Sequence, residues 1–233
     1  MPTEVQAHPL TNGKTINIYR NGNHQYWLDD GPRVKSVTSV VKHVEGDTFG
    51  VGMNWALKVA RENNGDLNAP RLLSKEAMES GNKLHEAIDT YIKHHTITED
   101  PLFMSWYNAL GGEEWMASEV FMYHPDMLYG GTADAVSLSD DGCVTLFDWK
   151  TVSPDSWQKY RASLRINKDS AQLAAYASCL TTMGSVYAPV RGYVGYIMRD
   201  GSGTEVVQVD LKRGLALFKA SRELYLLTEG VAK

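Results

Sequence analysis

Asp134, Asp148 and Lys150 are the residues of this chain whose types and spacing can do chemistry together, and they stand on what reads as one β-hairpin. Residues 130–151 read GGTADAVSLSDDGCVTLFDWKT. Strand alternation puts Val144, Leu146, Asp148 and Lys150 on one face, and Cys143, Thr145, Phe147 and Trp149 on the other. Asp140, Asp141 and Gly142 supply the turn and residues 132–138 the partner strand, so Asp134 returns level with Asp148 to within a residue of register. Two carboxylates and an ammonium at that level can make a metal site. Placing them at the inner end of a buried strand costs several kcal/mol of desolvation unless they pair or bind a cation. For Asp-x-Lys alone, the plainer alternative is an ion pair on an exposed edge strand.

Other elements must position this hairpin. Residues 16–28 read as a hairpin about Asn21 and Gly22, and 37–44 as a short helix that Ser36 could cap. Helices are predicted over 54–63 and 74–94, the second with the apolar stripe Leu84, Ala87, Ile88, Tyr91 and Ile92, and His85 at its edge. Residues 101–116 read as a helix interrupted by Gly111 and Gly112, and 119–123 as a strand leading into the hairpin. A helix over 169–182, a hairpin of 192–198 and 205–211, and a closing helix over 215–227 complete the order. The expectation is an α/β (α+β) protein with a central mixed sheet flanked by helices. It would be one domain over 1–233: an N-terminal hairpin and short helix (1–45), a helical part (46–118) and a sheet core (119–233).

With 233 residues and 43% hydrophobic content, the chain can bury a large core. It shows no signal-peptide core, transit-peptide character or apolar run of about 18 residues, so a soluble, cytoplasmic protein without membrane partners is expected. Cys143 and Cys179 are isolated, which argues against a disulfide scaffold, structural zinc or an iron-sulfur cluster. A net charge of −5 argues against a generally basic nucleic-acid binder. One basic run departs from that balance: Lys159, Arg161, Arg165 and Lys168, interleaved with Trp157 and Tyr160. It could contact phosphates and stack on bases, or be a solvated helix face.

Five features fall in order: Gly81-x-x-x-His85, Glu119, Gly131-Thr132-Ala133-Asp134, Asp148-x-Lys150-Thr151 and Gln172-x-x-x-Tyr176. This order resembles the PD-(D/E)xK nuclease superfamily and, within it, the RecB-like exonucleases. Ser36-Val37-Thr38-Ser39-Val40, followed by Trp55-Ala56-Leu57, looks like the opening of the mitochondrial genome maintenance exonuclease and its phage relatives, so the resemblance runs from about Ser36 to Tyr176. It implies a restriction-endonuclease-like core with N-terminal hairpin and helical additions. It also implies a histidine and two hairpin acids holding divalent metal, a lysine positioning the attacking water, and the Gln-x-x-x-Tyr helix beside the site. Asp148 stands where many relatives have glutamate, one methylene shorter but still an oxygen ligand. The cluster-binding cysteines of some relatives are missing, as are helicase motifs.

Phosphodiester hydrolysis needs charge neutralised on the phosphoryl oxygens and a nucleophilic water, and one or two Mg²⁺ or Mn²⁺ ions supply both. Asp134 and Asp148 would bind directly, the Trp149 carbonyl is a further oxygen, and His85 supplies a nitrogen that favours Mn²⁺ somewhat. Lys150 would orient the water, with a pKa that falls if the site is dry and cationic. Glu119 either binds a second metal, holds a water ligand, or is simply solvated. A lone His85 would more often be structural; in this order it reads as a ligand. Gln172 and Tyr176 share a helix face and could hold phosphate, a base or the Lys150 backbone, or form a polar seam. Thr151, Ser36 and Thr38 could bind phosphate or serve only as caps and turn closers. No nucleotide cofactor is expected.

The leading expectation is a metal-dependent DNA exonuclease acting on single strands or duplex ends, in phage or bacterial recombination, replication or degradation. A helicase, recombinase or single-strand-binding protein would be a fitting partner. The alternatives are a structure-specific endonuclease, a catalytically silent DNA-end-binding or inhibitory module, and a hydrolase of small phosphoesters.

Overall fold

A computed structural model describes residues 3–29, 31–42, 49–160 and 164–229. Three N-terminal strands, β1 (Glu4–Pro9), β2 (Thr15–Arg20) and β3 (Tyr26–Leu28), make an antiparallel sheet in sequence order. The 16–28 hairpin is present, and β1 adds a strand to it that the sequence reading lacked. After β4 (Lys35–Ser36) comes α1 (Val37–Val41), whose first turn is capped by the Ser36 hydroxyl accepting from the Ser39 amide at 3.3 Å.

α2 (Phe49–Glu62) and α3 (Ala69–His94) follow. α3 begins five residues earlier than the predicted Ser74, because Pro70 in the first turn lacks only an N–H that would have been unpaired anyway. Its Leu84, Ile88 and Tyr91 are buried, with Ala87 and Ile92 packed beside them. α4 (Pro101–Leu110) starts at Asp100, whose carboxylate accepts from the Leu102 and Phe103 amides at 2.9 and 3.1 Å. It ends at Gly111 rather than passing through the glycine pair to Met116. Residues 114–116 instead open β5 (Glu114–His124), longer than predicted at its start.

β6 (Tyr129–Leu138) and β7 (Val144–Val152) form the expected hairpin. α5 (Pro154–Tyr160) and α6 (Leu164–Thr182) carry the crossover to β8 (Arg191–Met198), parallel to β7, then β9 (Thr204–Gln208) and α7 (Leu211–Glu229). The central sheet has the order β4-β6-β7-β8-β9, with β5 also on β6, so it is mixed and flanked by helices. The predicted alternation along β7 holds. Leu146 and Val152 face the α6–α7 layer with Leu173, Ala177 and Phe218, while Phe147 and Trp149 face α3 and α4 with Trp106 and Leu110. Trp106 and Trp149 meet edge to face at 5.7 Å, a contact worth about 1 kcal/mol beyond the area it buries. Ile18 and Tyr26 of the N-terminal sheet pack on Phe121 and Tyr123 of β5. Among the described residues no helix is long and apolar enough to cross a membrane.

Candidate metal centre

β5 runs along one edge of β6 for its whole length, with a bulge at Met116 and a missing rung at Glu119, and the opposite edge is divided between two neighbours. β7 pairs there with residues 135–138, and β4 with residues 129 and 130. Between them, from Gly131 to Asp134, that edge has no ladder partner among the described residues, and β6 and β7 part like a fork. The last rung is Ala135 opposite Phe147, which brings Asp134 and Asp148 level at the mouth. The Trp149 amide, next in line for a rung, donates to Asp134 Oδ2 at 2.6 Å instead. One carboxylate therefore takes the place of a missing backbone acceptor.

The walls of the fork come from helices. α3 sends in His85, whose Nδ1 lies 3.4 Å from Asp134 Oδ1. α6 sends in Gln172, whose amide donates to Asp148 Oδ1 at 3.0 Å and to the Tyr176 hydroxyl at 3.1 Å. Tyr176 can lie close because Gly131 has no side chain: a Cβ there would stand 2.5 Å from the tyrosine ring. Lys150 pairs with Asp148 Oδ2, and Asp148 is only 2% exposed. Ligand atoms of His85, Glu119 and Asp134 lie within 4.8 Å of one another. A nitrogen and two carboxylates at that spacing suit a hard divalent cation, with the Asp148 carboxylate next to them on the other tine.

The charges reflect this crowding. Burial works against protonating His85, but Asp134 and Asp148 outweigh it and raise the imidazole to about 9. Burial, aided by Asp134, lifts the Glu119 carboxyl to about 7. For Asp134 burial opposes ionisation, yet His85, Lys150 and the Trp149 amide together hold its pKa low. Burial pushes the Asp148 carboxyl up, and Lys150 pulls it partway back. Lys150 departs from the expectation of a lowered pKa. Burial does act that way, but Asp148, Asp169 and Asp134 exceed it and hold the ammonium charged. That expectation assumed a cationic site, and the protein side chains alone make an anionic one.

The fork opens into a cleft of about 870 Å³. His85, Glu119, Asp134, Asp148, Trp149, Lys150, Thr151, Gln172, Tyr176, Ser36 and Thr38 all line it. The Ser36 hydroxyl is already engaged with Thr38 and Ser39, at 2.8 and 3.0 Å. Of the basic run, Trp157 and Lys159 do not join them. Trp157 is not placed to stack on a base: its ring is buried, stacked on Tyr196 at 4.0 Å, with Nε1 donating to Glu205 at 2.8 Å, so it serves the fold. Lys159 is exposed on α5, away from the cleft lining. Arg161 and the side chain of Arg165 lie outside the described residues.

No protein-family model matches the chain, and no curated protein does. Solved structures similar to it include that of SSO0001, at 16% identity and a TM-score of 0.39 over 81% of this chain and 75% of that one. Another is LHK-Exo in complex with dAMP, at 15% identity and a TM-score of 0.34 over 83% and 86%. Likeness at this level leaves the activity to the residues themselves.

The N-terminal sheet supplies cleft residues that sequence reasoning missed. Arg20 Nη1 donates to Thr132 Oγ1 at 3.1 Å, its guanidinium lies 4.5 Å over the Phe121 ring, and the Tyr26 hydroxyl bonds the same threonine at 2.9 Å. The 16–28 hairpin was legible as an element, but nothing in its residues indicated that it folds over β6.

Proposed function

We propose that the protein is a divalent-metal-dependent nuclease of the PD-(D/E)xK type that hydrolyses DNA as an exonuclease, on single strands or duplex ends. The observation that carries this reading is the charge of the cleft. Glu86, Asp89, Glu119, Asp134 and Asp148 line it, against Arg20, Lys150 and a His85 imidazole whose raised pKa keeps it protonated at neutral pH. A cleft of that balance repels a polyanion unless it first takes up cations, and its inmost ligands have the types and spacing to take them.

Bound Mg²⁺ or Mn²⁺ supplies neutralisation at the phosphoryl oxygens and a water made nucleophilic at neutral pH. His85, Asp134, Asp148 and Glu119 would hold the metal, with the Trp149 carbonyl as a further oxygen. Lys150 orients the attacking water and offsets the charge that builds as the new phosphorus–oxygen bond forms and the old one breaks. Gln172 keeps Asp148 in place, and Tyr176 holds Gln172. Arg20, Thr151 and the hydroxyls of Ser36 and Thr38 line the path of the phosphates. A role in phage or bacterial DNA recombination, replication or degradation fits this activity.

The test is a time course on single- and double-stranded DNA labelled at either end, with Mn²⁺, Mg²⁺ or chelator. Metal-dependent shortening from an end is expected, and the label released first gives the polarity. Cutting of circular single-stranded DNA would replace the exonuclease reading with an endonuclease. Intact DNA in every arm, with normal metal binding, would sink the nuclease reading altogether.

A further inference from the structure

Glu119 has φ of 51°, inside strand β5 and in a region that residues other than glycine rarely adopt. The β5–β6 ladder steps over it. Ser118 pairs with Ala135 and Val120 with Ala133, but the rung that would join Glu119 to Asp134 is absent. Such a kink persists only when its surroundings hold it. What holds it is one side chain of β1. Gln6 Nε2 donates to the Glu119 carbonyl at 3.0 Å, and Gln6 Oε1 accepts from the Phe121 amide at 2.6 Å. A single amide thus stands in for a neighbouring strand across Val120, immediately after the kink. The Glu119 carboxylate then reaches His85 and Asp134, and among the described residues it takes no hydrogen bond or ion pair of its own.

We infer that Gln6 is a positioning residue for the divalent cation, fixing the backbone that aims Glu119 into the site; this rests on the metal reading above. The N-terminal sheet is then part of the metal centre, although it supplies no ligand atom to the cluster of His85, Glu119 and Asp134. The competing role is a staple: Gln6 would fasten the sheet to β5 for stability and leave the cation unaffected. The two roles differ in what they do to metal affinity without DNA.

Mn²⁺ binding is measured by electron paramagnetic resonance of the free ion, for the full chain and for Gln6→Ala, Gln6→Glu, Glu119→Gln and the double variant Gln6→Ala/Glu119→Gln. Thermal unfolding with chelator is followed in parallel. Gln6→Ala is expected to weaken Mn²⁺ binding about tenfold, the size typical of residues that orient metal ligands. Glu119→Gln should weaken it at least as much, and the double variant no more than Glu119→Gln alone, because Gln6 acts only through Glu119. Gln6→Glu keeps the acceptor for Phe121 but loses the donor to Glu119, so it should also weaken binding, and it carries the test if Gln6→Ala does not fold. Wild-type Mn²⁺ affinity in folded Gln6 variants, or losses that multiply in the double variant, would overturn the inference while leaving the metal centre standing. Absence of Mn²⁺ binding by the wild type would overturn both.

Discussion

His85 and His8 sit at opposite ends of the same design problem. Each is an imidazole with an oxygen partner, His8 buried and His85 partly so, and burial favours the neutral form of both. His85 is nevertheless raised to about 9, because carboxylates crowd the fork. His8 is lowered to about 4, since burial there meets only a hydroxyl and a backbone contact. Its Nε2 bonds Ser185 Oγ at 2.7 Å, its ring meets Tyr187 edge to face, and Nδ1 makes no bond of good geometry. The difference separates a region that holds surplus negative charge from one that has shed all charge. In the first, polar groups were placed at a cost to stability; in the second, a hydrogen bond joins the N-terminal sheet to the turn after α6.

The largest effect should come from removing the surplus. Asp148→Ala or Asp134→Ala is expected to cut DNA cleavage on the order of 10³-fold, read from single-turnover rates, with Mn²⁺ affinity falling too. Lys150→Ala should reduce the rate roughly 10²-fold while Mn²⁺ binding stays or tightens, because a neighbouring cation is gone. Loss of metal binding in that variant would mean that Lys150 supports the ligands and does not act on the water. At the other end, Ser185→Ala leaves His8 Nε2 unpaired and should lower unfolding free energy by about 1–3 kcal/mol in urea, with the cleavage rate unchanged. A change in rate would break the division between the two regions.

The smallest effect is on pH. Folded His8 stays neutral down to about 4, whereas an unfolded histidine takes its proton near 6.5. Between these values the unfolded state binds more protons, so the contribution is full above about pH 6.5 and is lost as pH falls toward 4. Urea unfolding at pH 7 and pH 5 should show the wild type losing roughly 1–2 kcal/mol more than His8→Gln. Equal losses would show that His8 is not the group responsible.

The sequence made the hairpin legible because period-two alternation and an Asp-Asp-Gly turn leave few registers in which Leu146 is buried. It made the α3 stripe legible for the matching reason at helical spacing. The role of β1 was not legible: EVQAHP is short, and what Gln6 does depends on a kink in a strand more than a hundred residues away. Trp157 misled because its basic neighbours suggest a surface, while the tyrosine it stacks on belongs to β8. Local composition reports the company a residue keeps along the chain, and side-chain partners across the sheet are set by topology.

The Trp149 amide reports on the carboxylate at the mouth of the fork. Its proton is held by a side chain rather than by a rung of the β6–β7 ladder, so its exchange with solvent deuterium depends on the position of the Asp134 carboxylate. A cation that takes Oδ1 and leaves Oδ2 in place would slow that exchange and shift one backbone resonance, giving a readout of occupancy at the mouth that needs neither DNA nor turnover.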